Sequence, residues 1–470
     1  MKLKLKEIVI PETDPFINDV LGRKESAKVL TNLLLSIDEP FVISIDSPWG
    51  TGKSTFIKMW SQSLENEGFP ILYYNAWEHD FSDDAFLSLI SEIDSGMGNL
   101  KDKFAISDET IKKFEQVKKI SSRFIKSALP AVLKMATYGM VNLNEVTEDT
   151  IANFIENIAK GEIKRYDDSK KTLTVFKSKL SEFVIELNNS EKCKNKPLII
   201  FIDELDRCRP TFAIEILEKA KHFFNINKII FILAIDKEQI GNSISSIYGI
   251  KMKTSGYLKR FIDLEYILPN PGKGLFTNFL LNQYEFSDFF EKRLTFMEGD
   301  EWEQISFIFS EMSNLFNLSL REQIQCFTQL SLVIRMTSIN NYLHGIPLSF
   351  LIILKLVNRE QYYDFIEYRI KGEDVIEYLE KQKGSELLLN HNYGFGLIAN
   401  LLWLAQNENN NKINIKPYED IMKNENATGD AKYMASLILQ ILGSFRGRYS
   451  SQVLKMIVNK IEILENFVNH

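Results

Sequence analysis

Cysteine and histidine are scarce in this sequence, which limits the metal and redox chemistry that it can support. The 470 residues include three cysteines, Cys193, Cys208 and Cys326, and five histidines. The cysteines form no C-x-x-C pair, so they predict neither a zinc site nor a disulfide framework. Such a pattern is typical of a reducing compartment, and we expect a cytoplasmic protein.

An excess of charge of one sign is also lacking. Lys and Arg number 56 and Asp and Glu 63, which leaves a net charge of −7. A protein that binds nucleic acid or an anionic membrane through its overall charge carries a basic excess. A nucleic-acid partner is therefore unsupported by the net charge, and a local basic groove is the alternative that stays open.

Long hydrophobic runs are missing as well. The two longest apolar stretches, residues 128–141 and 347–357, are interrupted by Lys134 and Lys355 and fall short of the ~20 residues that span a bilayer. The first residues show no apolar run followed by a small-residue cleavage site. We expect no transmembrane segment and no signal peptide.

The sequence does contain enough apolar residues, 45% of the chain, to bury a large core. Four short runs read as strands, at residues 41–46, 71–75, 198–202 and 229–235, and helical patterns separate them. The runs at 198–202 and 229–235 are apolar without alternation, as in strands covered on both faces. This order predicts an α/β fold with a parallel sheet between helices.

The segment SPWGTGKST follows the first predicted strand and opens a helix, which is where a phosphate-binding loop lies. Its backbone N–H groups and the positive helix end can surround a β-phosphate. Lys53 can reach the β- and γ-phosphate oxygens, and Ser54 can bind Mg²⁺. A serine replaces the first glycine of G-x-x-x-x-G-K-[ST], which a negative φ would allow. The expected nucleotide contacts are Ser47, Trp49, Gly50, Thr51, Gly52, Lys53, Ser54 and Thr55.

The predicted strand 198–202 runs directly into acidic residues. Asp203 can hold Mg²⁺ through water, and Glu204 can polarise the attacking water as a general base. An acidic turn that caps the next helix is the alternative, but a cap needs one acid. Asp206 and Arg207 stay open between a structural ion pair and a role in sensing the γ-phosphate or a neighbouring subunit.

Four motifs together closely resemble the KAP family of P-loop NTPases. They are PWGTGKST, the Asn-Ala-Trp of residues 75–77, FIDELDRCRP and FILAIDKEQI. Trp49 and Gly50 match the family's Trp-Gly before Gly-Lys. The family's Walker B motif, Asp-Asp-Leu-Asp-Arg, is matched except that Glu204 replaces an Asp. The resemblance covers about residues 14–332.

The resemblance implies a P-loop fold of the additional-strand, catalytic-glutamate type, related to AAA+ and STAND ATPases. It also implies a helical insertion between the two Walker motifs, which in many relatives carries transmembrane helices. Residues 127–143 occupy that place here. Because they are few and include Lys134, we expect a soluble helix packed in the lobe, with an amphipathic membrane contact as the alternative.

Five segments are predicted along the chain. Residues 1–80 and 197–271 form the two parts of the NTPase core, and residues 81–196 form the helical insertion between them. Residues 272–345 form a helical lid and residues 346–470 a helical C-terminal domain.

The resemblance also implies roles for residues outside the two Walker motifs. Asp236 takes the place of a polar sensor that holds the attacking water, and an N-cap for the following helix is an equally good interpretation. Arg321 resembles the lid arginine that touches the γ-phosphate, with an ordinary exposed arginine as the alternative. Gly22 and Arg23 lie in a segment that resembles the lining of the adenine pocket.

Expectations for three further residues concern a neighbouring subunit and the core. Lys259 and Arg260 are candidates for an arginine finger supplied by a neighbouring subunit, although isolated basic residues on a helix are usually just solvated. Trp77 follows a buried strand, so core packing is favoured over nucleotide stacking.

The sequence therefore predicts an ATPase that binds and hydrolyses MgATP to drive conformational change or assembly, with Lys53, Glu204 and Asp236 in catalysis. The resemblance adds bacterial anti-phage defence with a partner effector protein, a homo-oligomer, or both. One alternative is a nucleotide-gated scaffold with little hydrolysis. Another is a DNA-acting motor, for which residues 445–449, FRGRY, form the best basic-aromatic cluster.

Overall fold

The computed structural model of the chain consists of two compact units, which we describe separately. The described residues from 8 to 269 form the sheet unit, and the described residues from 273 to 462 form the helical unit. The structure describes residues 8–82, 85–104, 174, 177–178, 180–191, 193, 195–220, 225–269, 273–294, 301–338, 340–406 and 413–462. The expected packed helix at 127–143 and most of the expected insertion lie outside the described residues.

The sheet unit is built on five parallel strands. They are β1 (Phe41–Asp46), β2 (Ile71–Asn75), β3 (Leu198–Asp203), β4 (Ile229–Ile235) and β5 (Leu264–Ile267), in the order β2-β3-β4-β1-β5. β4 lies between the strand that precedes the predicted phosphate loop and the strand that ends in the acidic residues. This additional strand confirms the predicted fold class.

The pairing register aligns the carboxyl ends of the strands. Asp46 of β1 lies opposite Ile235 of β4, and Asp203 of β3 lies opposite both Ala234 of β4 and Asn75 of β2. Residues that directly follow these strands therefore meet at one edge of the sheet. This is the edge at which ligands bind in parallel α/β sheets.

Helices cover both faces of the sheet, so β4 and residues 198–202 of β3 are apolar throughout. Ile199 and Phe201 pack on one face with α1 (Lys24–Leu35) and α2 (Lys53–Asn66). Ile200 and Ile202 point to the other face. The helices packed there are α3 (Ala85–Phe104), α4 (Pro210–Ala220), α5 (Lys237–Tyr248), α6 (Thr254–Leu258) and a helical stretch at residues 180–189.

The fifth strand was not predicted from the sequence. β5 has four residues, and its side chains alternate between half-buried and exposed. It pairs with β1 at the edge of the sheet, so it lacks the continuous apolar run that marks the inner strands.

The described part of the helical unit consists of helices, as the sequence predicts. The 347–357 run forms most of α11, and Ile346–Leu354 are buried in this unit. Among the residues that the structure describes, no helix has both the length and the apolar character needed to cross a membrane. The helices are α7 (Lys273–Gln283), α8 (Ser287–Leu294), α9 (Glu301–Leu315), α10 (Leu320–Met336), α11 (Gly345–Val357), α12 (Arg359–Ile366), α13 (Gly372–Glu380), α14 (Glu386–Leu389), α15 (Asn392–Leu404), α16 (Lys416–Lys423), α17 (Gly429–Ser444) and α18 (Ser450–Glu462).

Trp60 anchors α2 on the sheet. Its ring is fully buried, stacks on Phe56 at 5.9 Å and meets Phe201 of β3 edge-on at 5.4 Å between ring centres. Its indole N–H donates to Thr31 Oγ1 of α1 at 3.0 Å. Since α2 begins with Lys53, this packing fixes the helix that carries the candidate site.

Trp60→Ala is expected to lower the free energy of unfolding by about 3–5 kcal/mol, because it replaces a buried ring with a cavity. Denaturant unfolding of the full chain measures the change. Val29→Ala, at an exposed position of α1, is the control and should cost less than about 0.5 kcal/mol. Equal losses in the two variants would contradict this packing.

Candidate functional site

The loop between β1 and α2 is shaped by glycines at two positions and by a serine at its start. Gly50 and Gly52 have φ of 73° and 81°, which side chains with a Cβ rarely adopt. Ser47 is not in this left-handed region. Its buried hydroxyl lies 2.6 Å from Thr51 Oγ1, and Thr51 donates to Pro48 O at 2.7 Å. The serine therefore closes the loop with a side-chain bond.

Lys53 is the first residue of α2 and is buried, with 7% of its surface exposed. Its ammonium donates to Ser47 O at 3.1 Å and to Asp206 Oδ2 at 3.0 Å. The charge is thus held inside the loop by a backbone carbonyl and a buried carboxylate. A buried cation enclosed by a loop of backbone amides is suited to an anionic ligand.

Asp203 ends β3 and is fully buried next to Ser54. Ser54 Oγ donates to Asp203 Oδ1 at 3.2 Å, and the Tyr73 hydroxyl donates to Asp203 Oδ2 at 2.7 Å. Burial raises the pKa of Asp203 from its usual value, and these hydrogen bonds oppose the rise. The pKa of Tyr73 is raised as well, first by burial and then by the nearby carboxylate.

The Ser54 and Asp203 oxygens are the donors available for a metal ion. Among the described residues, no group of three or more His, Cys, Asp or Glu side chains could hold a metal. Two oxygen ligands fit a hard cation that takes its other ligands from water and phosphate, as Mg²⁺ does.

Glu204 sits at a sharp turn after β3. Its φ of 60° is in the left-handed region, where a residue other than glycine costs roughly 1–2 kcal/mol. Its carboxylate Oε1 lies 2.5 Å from Arg207 Nη1 and 3.5 Å from Ser54 Oγ. The Arg207 guanidinium carbon in turn lies 5.8 Å from the centre of the Trp77 ring.

The expectation that Trp77 packs in the core is wrong, because 54% of its surface is exposed. Asn75 turns the chain outward after β2. Its side-chain oxygen accepts from the Trp77 backbone N–H at 3.1 Å, and its Nδ2 donates to Glu78 at 2.8 Å. The Asn-Ala-Trp motif thus forms a capped turn that presents the indole to Arg207.

Asp206 is the residue whose place in the site the sequence left open. It is 5% exposed, and its Oδ2 accepts from Lys53 Nζ, from Trp49 Nε1 at 2.8 Å and from the Asp236 backbone N–H at 2.9 Å. It is therefore part of an ion pair with the loop lysine. The one sequence signal for it is the third acid in the run DELD.

Asp236 uses both carboxylate oxygens. Oδ1 caps α5 by accepting from the backbone N–H of Glu238 at 3.1 Å and of Gln239 at 3.3 Å. Oδ2 accepts from the Trp49 backbone N–H at 3.1 Å. Asp236 thus caps a helix and also contacts the loop.

Arg23 lies beside this edge of the sheet and is 4% exposed. Its Nη2 is 3.5 Å from Pro269 O, while Nε and Nη1 have no hydrogen-bond partner. Burial lowers the pKa of Arg23 to about 10. The residue before it, Gly22, has a φ of 67°, which turns the chain into α1.

The three remaining predicted residues are exposed. Arg321 is exposed on the first turn of α10 in the helical unit, between Ser319 and Glu322, which form a capping box. Lys259 and Arg260 are exposed at the end of α6.

The basic-aromatic cluster 445–449 joins α17 to α18. Its Phe445 ring stacks on Trp403 at 4.3 Å, which leaves one exposed aromatic ring in the cluster, Tyr449.

Gly52→Ala is expected to lower the free energy of unfolding by about 1–2 kcal/mol, because alanine is strained at a φ of 81°. The matched control is Gly98→Ala in α3, where a Cβ meets nothing within 4 Å. That change should raise the free energy of unfolding by about 0.5–1 kcal/mol. Denaturant unfolding distinguishes the two signs, and a gain for Gly52→Ala would contradict the loop geometry.

The chain is similar to several known proteins. A curated relative, the Phage T7 exclusion protein of Escherichia coli (strain K12), is 23% identical over 258 residues, which is 51% of this chain and 31% of the relative's own length. Two solved structures of the Aeropyrum Pernix ORC2 protein, one of ADPNP-ADP complexes and one of the ADP form, have TM-scores of 0.33 at 14% identity. The ADPNP-ADP structure aligns with 95% of this chain and with 95% of its own chain. The ADP form aligns with 98% of this chain and with 96% of its own chain.

A family model described as the KAP family P-loop domain matches residues 23–339. That range takes in the loop around Lys53, the Asp203–Asp206 turn and Asp236. It is more than half of the sequence, and this chain belongs to the KAP family of P-loop proteins.

Proposed function

We propose that the sheet unit binds ATP with Mg²⁺ and hydrolyses it. The observation that carries this proposal is the convergence of Lys53, Ser54, Asp203 and Glu204 at one glycine-shaped loop. A buried ammonium, a hydroxyl and two carboxylates at the carboxyl edge of a parallel sheet are the groups that phosphoryl transfer to water requires.

The loop and α2 supply the phosphate contacts. Backbone N–H groups after Gly50 and Gly52, together with the N-terminus of α2, offer donors to phosphate oxygens. Lys53 adds a positive charge at the same place. The residues assigned to nucleotide contact are Ser47, Trp49, Gly50, Thr51, Gly52, Lys53, Ser54 and Thr55.

Ser54 and Asp203 would hold Mg²⁺, which when bound neutralises charge on the phosphates. The Tyr73 hydroxyl orients Asp203 through its hydrogen bond to Oδ2. Glu204 is assigned as the base that accepts a proton from the attacking water. Asp236 is assigned to position that water, although both of its oxygens accept backbone N–H groups in this structure.

Arg23 and Gly22 are assigned to the nucleoside end of the ligand. Two buried donors on Arg23 lack partners, and a buried polar group without a partner costs free energy that an acceptor on a ligand would recover. Arg321 is assigned to the γ-phosphate as a lid residue, in keeping with its exposed place at the start of α10.

The biological role that we propose is anti-phage defence in the cytoplasm, with hydrolysis driving conformational change or assembly. The similarity to the Phage T7 exclusion protein of Escherichia coli (strain K12) supports this role. The conformational change would act on a partner effector protein, on the other subunits of a homo-oligomer, or on both.

Glu204→Gln is expected to lower the steady-state rate of ATP hydrolysis at least about 100-fold, while ATP binding persists. The amide keeps the shape of the side chain and cannot accept the proton. Phosphate release and calorimetric ATP binding are measured on wild type and variant. Glu25→Gln, at an exposed ion pair on α1, is the matched control and should hydrolyse ATP at the wild-type rate.

A wild-type rate in Glu204→Gln would contradict the base role. Tight ATP binding by wild type without turnover would favour the nucleotide-gated scaffold instead. One contact favours that second candidate: the Glu204 carboxylate is occupied by Arg207 at 2.5 Å.

A further inference from the structure

One carboxylate oxygen of Asp206 accepts three hydrogen bonds. Lys53 Nζ, Trp49 Nε1 and the Asp236 backbone N–H all lie within 3.0 Å of Oδ2. These donors come from the start of α2, from the loop and from the end of β4. One side chain thus connects the segments that enclose the predicted phosphate site.

The second oxygen of this carboxylate is different. Asp206 Oδ1 is buried and has no hydrogen-bond partner. A buried carboxylate oxygen without a donor is unfavourable, so hydrogen bonding alone does not account for an acid at this position. The negative charge of Asp206, whose Oδ2 lies 3.0 Å from Lys53 Nζ, does account for an acid at this position.

Lys53 is therefore paired with an anion that belongs to the chain itself. Its ammonium donates to Ser47 O and to Asp206 Oδ2, and 8% of the lysine side chain and 1% of the aspartate side chain are exposed. In such a buried site, a second anion near Lys53 competes with Asp206 for the same cation and is repelled by it.

We propose that Asp206 is an internal competitor of the nucleotide phosphates, which holds Lys53 and the loop in place until a phosphate displaces it. This inference rests on the proposed function and deepens it. Asp206 acts through Lys53, so it is a positioning residue. Asp206 lowers the affinity of the site for nucleotide enough for the nucleotide to leave. It also keeps the buried Lys53 paired between the departure of one nucleotide and the binding of the next.

The backbone turn at Glu204 makes this contact possible. Its left-handed conformation starts the one-turn helix Leu205–Arg207, which points Asp206 back toward the loop while Arg207 pairs with Glu204. The same turn thus positions the proposed base Glu204, its ion-pair partner Arg207 and the competitor Asp206.

Asp206→Asn tests the inference because it removes the charge and keeps an acceptor for Trp49 and Asp236. Without nucleotide, the variant should melt below wild type, since Lys53 loses its counter-charge. ADP should bind at least about tenfold more tightly, because no internal anion is displaced. Adenosine, which has no phosphate, should bind both proteins equally.

Two controls separate charge from structure. Asp206→Glu keeps the charge, and its ADP affinity should stay within about threefold of wild type. Asp38→Asn makes the same chemical change at an exposed carboxylate paired with Lys228 and should leave ADP binding unchanged.

Calorimetry and thermal melting of the full chain with ADP and adenosine decide the outcome. An Asp206→Asn protein that binds ADP no more tightly than wild type would overturn the inference alone. A variant that stays unfolded at saturating ADP would overturn it too, since Asp206 would then be purely structural. Failure of wild type to bind ADP would overturn the proposed function and the inference with it.

Discussion

The hydrogen-bonded insertion of β4 between β1 and β3 is the constraint on which the site depends. It aligns the carboxyl ends of three parallel strands, so that the loop after Asp46, the acids after Ile202 and Asp236 after Ile235 meet at one edge. No single segment holds the site. A shift of one strand by one residue would turn the inner side chains to the opposite face and separate these groups.

Local backbone geometry then refines what the sheet brings together. Glycines at 50 and 52 let the loop curl around Lys53, and a left-handed Glu204 turns the chain so that Asp206 meets the lysine from the other side. The fully buried ring of Trp60 fixes α2, the helix that follows this loop, on the sheet. The packing of the core therefore holds the helix that follows the strained loop at the edge of the sheet.

The fold was predictable from the sequence where burial on both faces left uninterrupted apolar runs, as in β3 and β4. β5 was not, because a four-residue edge strand has no such run. Trp77 follows a buried strand, but the cap formed by Asn75 turns it into solvent, and no hydrophobic pattern encodes that. The pairing of Asp206 with Lys53 joins residues 153 positions apart and needed the folded backbone to be seen.

Calorimetric titration of ATP with Mg²⁺ into wild type and Lys53→Met tests the central claim most directly. Methionine keeps an unbranched side chain that is one atom shorter and removes the charge, and circular dichroism verifies that the variant is folded. We expect one saturable ATP site per chain in wild type and a loss of affinity of at least about 100-fold in the variant, equivalent to about 2.7 kcal/mol. Equal ATP affinity in the two proteins, or no binding by wild type, would contradict it.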